Sequence, residues 1–307
     1  MRDSFVRTLI SLASKDKSIE LVTGDLGFGV LKPFWEQLPD QFTNAGIAEK
    51  SMTALAVGMA LEGKNVFVYS IGNFPTLRCL EQIRNDCAYH QAQVKIVCVG
   101  GGFAYGPLGM SHHATEDIAV MRALPNVAVM APGDAAEAEA CTKALADYRG
   151  TAYLRLGRGG EKLIPGKMGD FRIGKARPVY EGERAALFST GGIFDEVQAA
   201  YEILAEKGLH PAVYTFPTVK PIDRDLIEAV AHEFELIVTC EEHNIMGGFG
   251  SAVAEVLAGM KRKRAYLAAV GLNDVFASKV GDQKYLRKQY GIDGWSIAER
   301  VLRELNG

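Results

Sequence analysis

Glu49 lies at the start of a helical pattern in the segment Asn44-Ala45-Gly46-Ile47-Ala48-Glu49-Lys50-Ser51-Met52. A carboxyl group there has two uses. It suits the positive end of the helix dipole, with Asn44 as a cap. It can also hold or take a proton, because a dry pocket raises a carboxyl pKa. His112 and His113 close a second stretch, Gly100-Gly101-Gly102-Phe103-Ala104-Tyr105-Gly106-Pro107-Leu108-Gly109-Met110-Ser111. Adjacent histidines rarely point at one ion, and no His-x-x-x-His or carboxylate pattern accompanies them, so a metal centre is not expected in this chain. The glycines lack the Gly-x-Gly-x-x-Gly spacing of a dinucleotide loop. Phe74 stands in the turn Ile71-Gly72-Asn73-Phe74-Pro75, between a strand pattern and a helix, where it can serve the core or a ligand. Arg158 ends the stretch Tyr153-Leu154-Arg155-Leu156-Gly157-Arg158-Gly159. Read by itself, Arg158 fits an ordinary surface arginine at a strand end.

The elements that position these residues follow from periodicity. Short β-branched runs at Ile19–Thr23, Val66–Ile71, Val94–Val99, Val127–Ala131 and Ala152–Leu156 alternate with apolar stripes at helical spacing. Met52, Leu55, Ala56 and Met59 form one stripe; Leu77, Leu80, Ile83 and Cys87 form another. Nearly continuous apolar strands separated by helices predict a parallel sheet covered on both faces. The glycine- and lysine-rich stretch from Gly157 to Gly182 breaks the rhythm, and the alternation then restarts. Strands are expected at Ala185–Ser189, Ala212–Phe216 and Leu236–Cys240, and helices at Phe194–Lys207, Asp223–Phe234 and after Gly250. The expected fold is α/β with two doubly wound domains, at residues 1–160 and 181–307, joined by a linker at 161–180.

Bulk properties narrow the function. The chain has 307 residues, 48% of them hydrophobic, enough for two packed cores. A net charge of -3 gives no reason to expect nucleic acid. The basic run Lys261-Arg262-Lys263-Arg264 reads as a solvated connection. The five cysteines are scattered, which suits reduced thiols and a cytoplasmic setting. The N-terminal stretch places Phe5, Val6, Leu9, Ile10 and Ala13 on one helical face, and interrupting charges exclude a membrane span there.

Taken in order, these stretches resemble the pyrimidine-binding and C-terminal domains of transketolases and deoxyxylulose-phosphate synthases. The resemblance spans nearly the whole chain. It implies a thiamine-diphosphate enzyme in which Glu49 contacts a ring nitrogen of the cofactor's aminopyrimidine and helps generate a carbon nucleophile. Phe74 matches an aromatic that stacks on that ring, and Ile71 stands near where many relatives have another. Ser111-His112-His113 matches the family's Thr-His-Gln turn, so His112 takes the position that contacts substrate oxygen and the proton path; His113 lies close by. Thr115-Glu116-Asp117 is expected to start a helix. Arg158 matches a substrate-phosphate arginine. Thr23-Gly24-Asp25-Leu26 resembles a turn placed beside the cofactor at the interface between chains, which makes Asp25 and Leu26 candidate cofactor contacts.

The sequence also departs from the family. Gly100 and Pro107-Leu108 replace a histidine and an acidic pair of sugar-phosphate transketolases. Both changes remove hydrogen-bonding groups from the substrate channel, which argues against ordinary ketose phosphates. No segment carries Gly-Asp-Gly with an asparagine about 30 residues later, the family's motif for Mg²⁺ and diphosphate. The resemblance therefore implies a partner, an N-terminal transketolase subunit holding diphosphate and Mg²⁺ through oxygen ligands, in a dimer of heterodimers. Lys220-Pro221-Ile222-Asp223, Glu241-Glu242-His243-Asn244 and Gly247-Gly248-Phe249-Gly250 resemble the family's C-terminal domain and are given no catalytic role. The leading expectation is transfer of a two-carbon ketol or similar acyl-anion unit between sugar or 2-oxo carbonyl compounds. The alternatives are a β-type subunit of a 2-oxoacid dehydrogenase, a deoxyxylulose-phosphate synthase-like enzyme, and a binding protein that has kept only the fold.

Overall fold

The computed structural model describes residues 1–262 and 264–306, so Lys263 of the basic run lies outside the described residues; Lys261, Arg262 and Arg264 are exposed. Among the described residues, twelve strands form two sheets. In chain order they are β1 (Ile19–Thr23), β2 (Phe42–Asn44), β3 (Asn65–Ile71), β4 (Val94–Val99), β5 (Val127–Met130), β6 (Thr151–Leu156), β7 (Arg177–Tyr180), β8 (Ala185–Ser189), β9 (Ala212–Thr215), β10 (Thr218–Lys220), β11 (Leu236–Asn244) and β12 (Tyr266–Leu272). The larger sheet has the order β10-β5-β6-β4-β3-β1-β2, and the smaller one β12-β11-β8-β9-β7. β1 to β6 are mutually parallel, as are β8, β9, β11 and β12. Every residue of β1, β4, β5, β6 and β8 is buried, as strands covered by helices on both faces must be.

The two-domain α/β expectation holds, with two refinements at the seam. Of the stretch expected as a linker, Arg177–Tyr180 forms an antiparallel edge strand of the smaller sheet. The part before it is pinned: the Met1 amino group meets Glu161 at 2.8 Å, and Arg177 donates to the carbonyls of Ile164, Pro165 and Gly166. The second domain also lends β10 to the edge of the first sheet, antiparallel to β5. One apolar cluster accordingly runs from Met52, Cys98 and Ile118 into Phe188, Phe216 and Phe249 of the second domain.

Two helical expectations are corrected. The stripe at 77–87 is a 3-10 turn, one short α turn and then a π-helix at Ile83–Ala88. Cys79, Ile83 and Cys87 are buried as the stripe requires, but Leu77 is exposed. On the helix Glu49–Leu61, Met52 and Ala56 are buried while Leu55 faces out.

Candidate active site

The first sheet orders its strands so that the connection from β1 goes one way to β2 and the next returns across β1 to β3. The order thus reverses between β1 and β3, and in open α/β sheets ligands bind beyond the carboxyl ends of strands at such a reversal. The candidate residues all lie at that end. Asp25 and Leu26 follow β1, Glu49 follows β2, Phe74 follows β3, His112 and His113 follow β4, and Arg158 follows β6.

Glu49 is the first residue of its helix and only 5% exposed. Its Oε2 accepts a hydrogen bond from Arg78 Nη1 at 2.9 Å. Among the described residues Oε1 takes no hydrogen bond from protein. The Arg78 guanidinium also lies over the Phe74 ring, with Cζ 5.4 Å from the centroid. Phe74 in turn meets the His112 ring edge-on at 5.3 Å and 70°. Glu49, Arg78, Phe74 and His112 therefore form one continuous series across the ends of β2, β3 and β4. Gly72 makes the last step possible. Its φ is +43°, and a Cβ there would stand 3.1 Å from the His112 carbonyl oxygen, so the β3 turn packs directly on the histidine loop.

The remaining candidates divide. Asp25, at φ 55°, sits in an exposed turn and pairs with Asn44: its N–H donates to Asn44 Oδ1 at 2.9 Å, and Asn44 Nδ2 donates back to Asp25 Oδ1 at 3.1 Å. Asn44 is thus not the cap expected of it; the helix N-cap is Ala48, with no side-chain cap. Leu26 is half-buried and helps line a hollow of about 300 Å³ with Phe28, Trp35 and Phe42. Ile71 is half-buried against the first domain's core. His113 is buried behind His112, and burial pushes its pKa down. Arg158 stands apart, exposed, with Cζ 5.3 Å from the Tyr105 ring centroid. Thr115-Glu116-Asp117 does lead into a helix, but Asp117 is fully buried and accepts from Tyr153 Oη at 2.5 Å and Arg155 Nε at 2.8 Å. Sequence reading missed Arg78 as the partner of Glu49. No local pattern announces it: Phe74 stands in the turn before Pro75, and Arg78 lies in the 3-10 turn that follows.

The chain is similar to known proteins along nearly its whole length. Residues 1–160 match the model of the transketolase pyrimidine-binding domain, and residues 174–297 match that of the transketolase C-terminal domain. The chain belongs to the transketolase family. A Methanocaldococcus jannaschii protein that carries the name transketolase C-terminal section is 38% identical over 99% of this chain and 96% of its own. A subunit of the apulose-4-phosphate transketolase of Phocaeicola vulgatus is 35% identical over 98% of this chain and 96% of its own. A solved structure described as a split-gene transketolase in an inactive tetramer of beta chains superposes with a TM-score of 0.89 at 32% identity, covering 99% of this chain and 97% of that one. These relatives are subunits of transferases, and the family implies thiamine diphosphate. Among the described residues no group of three or more His, Cys, Asp or Glu is arranged to hold a metal ion, and no helix is long and apolar enough to cross a membrane.

Proposed function

We propose that this chain is the aminopyrimidine-facing subunit of a two-chain transketolase that moves a two-carbon ketol unit between carbonyl compounds. One observation carries the reading: a nearly buried carboxylate, Glu49, keeps one oxygen without a protein partner beside an aromatic face at the carboxyl end of the sheet. The residues fit the heterocycle. Phe74 offers a ring face, and Glu49 Oε1 is free to share a proton with a ring nitrogen. Thiamine diphosphate, when bound, supplies a carbon nucleophile that adds to carbonyl groups. Arg78 holds Oε2, which leaves Oε1 to take the ring proton. Phe74 limits the tilt of a stacked ring. His112, half-buried, with Ser111 Oγ 3.0 Å from its Nδ1, would move a proton at the substrate oxygen. Asp25 and Leu26 lie at the same end of the sheet, and Arg158, set apart over Tyr105, would meet the phosphate of an acceptor.

The partner follows from what surrounds this site. Ile47, Leu77, Leu108 and Met110 are close in sequence to Glu49, Arg78 or His112, and all leave large apolar side chains exposed. Exposed apolar side chains around a polar site mark a surface that another chain covers. That chain would carry diphosphate and Mg²⁺ and exclude water from Glu49. The tetrameric relative is described as inactive, in keeping with a chain that needs its partner for turnover. Glu49→Gln in the reconstituted pair is expected to lower turnover by roughly 10²- to 10⁴-fold. Turnover at the wild-type level would refute the assignment.

A further inference from the structure

The loop that carries His112 is closed on itself and then held from behind. Its ends meet in an antiparallel bridge, Gly102 N to Ala114 O at 2.8 Å and Ala114 N to Gly102 O at 3.1 Å. Inside it, His113 Nε2 donates to Gly106 O at 3.3 Å, and the His113 ring meets Phe103 edge-on at 5.1 Å. The other ties reach across to the second domain. Glu242, 2% exposed, accepts the Phe103 N–H at 2.9 Å. The same carboxylate takes Arg287 Nη2 at 2.6 Å and Gln283 Nε2 at 2.9 Å. Its backbone oxygen takes Arg155 Nη2 at 2.9 Å, and that same nitrogen donates to Ala114 O at 2.7 Å.

The contact is too close for side chains on the loop. Gly102 has φ +64°, and a Cβ there would stand 2.6 Å from Glu242 Cδ; one on Gly101 would stand 2.8 Å from Arg155 Cζ. The glycine run, which lacks the spacing of a dinucleotide loop, is shaped by this approach of the second domain. A carboxylate shared between a loop N–H and a buried arginine has few alternative arrangements, so what it holds is held in one place.

We propose that Glu242 is a positioning residue: from the second domain it fixes the loop 103–113, and through that loop the His112 ring beside Phe74. The proposal rests on the reading of His112 as part of the reacting centre. Hydrogen exchange on the purified chain tests it. In Glu242→Ala, amides of 103–115 exchange about tenfold faster or more, while those of 42–80 keep the wild-type rate. The His112 Cε1–H resonance moves in Glu242→Ala and returns toward its wild-type place in Glu242→Gln, whereas exposed His210 and His232 stay put. Should Glu242→Ala not fold, Gln283→Ala removes a half-buried donor from the same carboxylate and gives a smaller rise confined to the same loop. A folded variant in which the loop exchange and the His112 resonance are unchanged would overturn the proposal and leave Glu242 as a brace of its own domain. Failure of the functional reading is seen separately: wild-type mixed chains that bind no thiamine diphosphate would sink that reading while these loop measurements stood.

Discussion

Two sets of charged groups in this chain look alike in sequence and behave oppositely in space. At the carboxyl end of the first sheet, Glu49 pairs with an arginine whose side chain is 51% exposed, and one carboxylate oxygen stays free. At the seam between domains, Asp117 and Arg155 are 0% and 3% exposed, and Glu242 and Arg287 pair beside them. The first set leaves capacity for something added from outside. The second ties two domains together, through Arg155 to the Glu242 carbonyl and Glu242 to the Phe103 N–H, although Asp117 Oδ1 is left without a hydrogen-bond partner among the described residues in the dry interior. Neither burial of charge nor an unused oxygen marks a site by itself; what separates the two sets is that Glu49 sits beside an exposed arginine at an open strand end, whereas Asp117 is sealed in.

The contrast breaks first on stability. Arg155→Met leaves Asp117 without its cation in a dry interior and is expected to cost about 3–5 kcal/mol in urea denaturation. Arg78→Met, made in the open pair, is expected to cost no more than about 1 kcal/mol. Equal losses would mean that the two pairs are the same kind of feature.

The seam also has a pH signature. Glu241, 1% exposed, accepts from Phe249 N and Gly250 N, and burial pushes its pKa up to about 7 from 4.5. The folded state holds that proton more tightly than the unfolded chain. Its contribution is complete below pH 4.5 and is lost as pH rises toward 7, by on the order of 3 kcal/mol. Buried His243 acts in the opposite sense. Its Nδ1 donates to Asn244 O, and burial lowers its pKa to about 4 from 6.5. Stability is therefore lost as pH falls from 6.5 toward 4. The two oppose each other between 4.5 and 6.5. Glu241→Gln is expected to remove the alkaline loss, so that stability only rises with pH across this range; a pH profile like the wild type's would exclude Glu241 as its source.

Smaller effects sharpen the open end. Phe74→Ala in the mixed chains is expected to weaken thiamine diphosphate about tenfold by calorimetry, the scale of an aromatic stacking contact. Unchanged affinity would remove Phe74 from the ring-binding wall. Arg158→Ala is expected to change stability by less than about 0.5 kcal/mol, since the side chain is exposed. It should raise KM for phosphorylated acceptors and not for plain aldehydes. An equal effect on both would return Arg158 to the ordinary surface.

How much of this was legible depended on the range of the interaction involved. β1, β4 and β8 lie where their apolar runs place them, because a strand buried on both faces is written locally. Glu49, Phe74 and His112 were legible as separate motifs, and the parallel order of strands brings them together. Arg78 was not, because the turn at Phe74 and the 3-10 turn after it carry no helical spacing that pairs them. The π-helix at Ile83–Ala88 was not, since apolar residues at 79, 83 and 87 suit an α-helix equally well. Nor was the addition of β10 to the first sheet, a three-residue strand whose partner lies near residue 130. The Glu242 contact with Phe103 spans 139 residues, and nothing local in either segment announces it.

The central claim is that Glu49 faces a heterocycle completed by a second chain. Calorimetric titration of thiamine diphosphate with Mg²⁺ into this chain, its partner and their mixture tests it most directly. Saturable heat is expected from the mixture, strongly reduced by Glu49→Ala and by omission of this chain. Wild-type binding by the Glu49→Ala mixture, or full binding by either chain alone, would contradict the account.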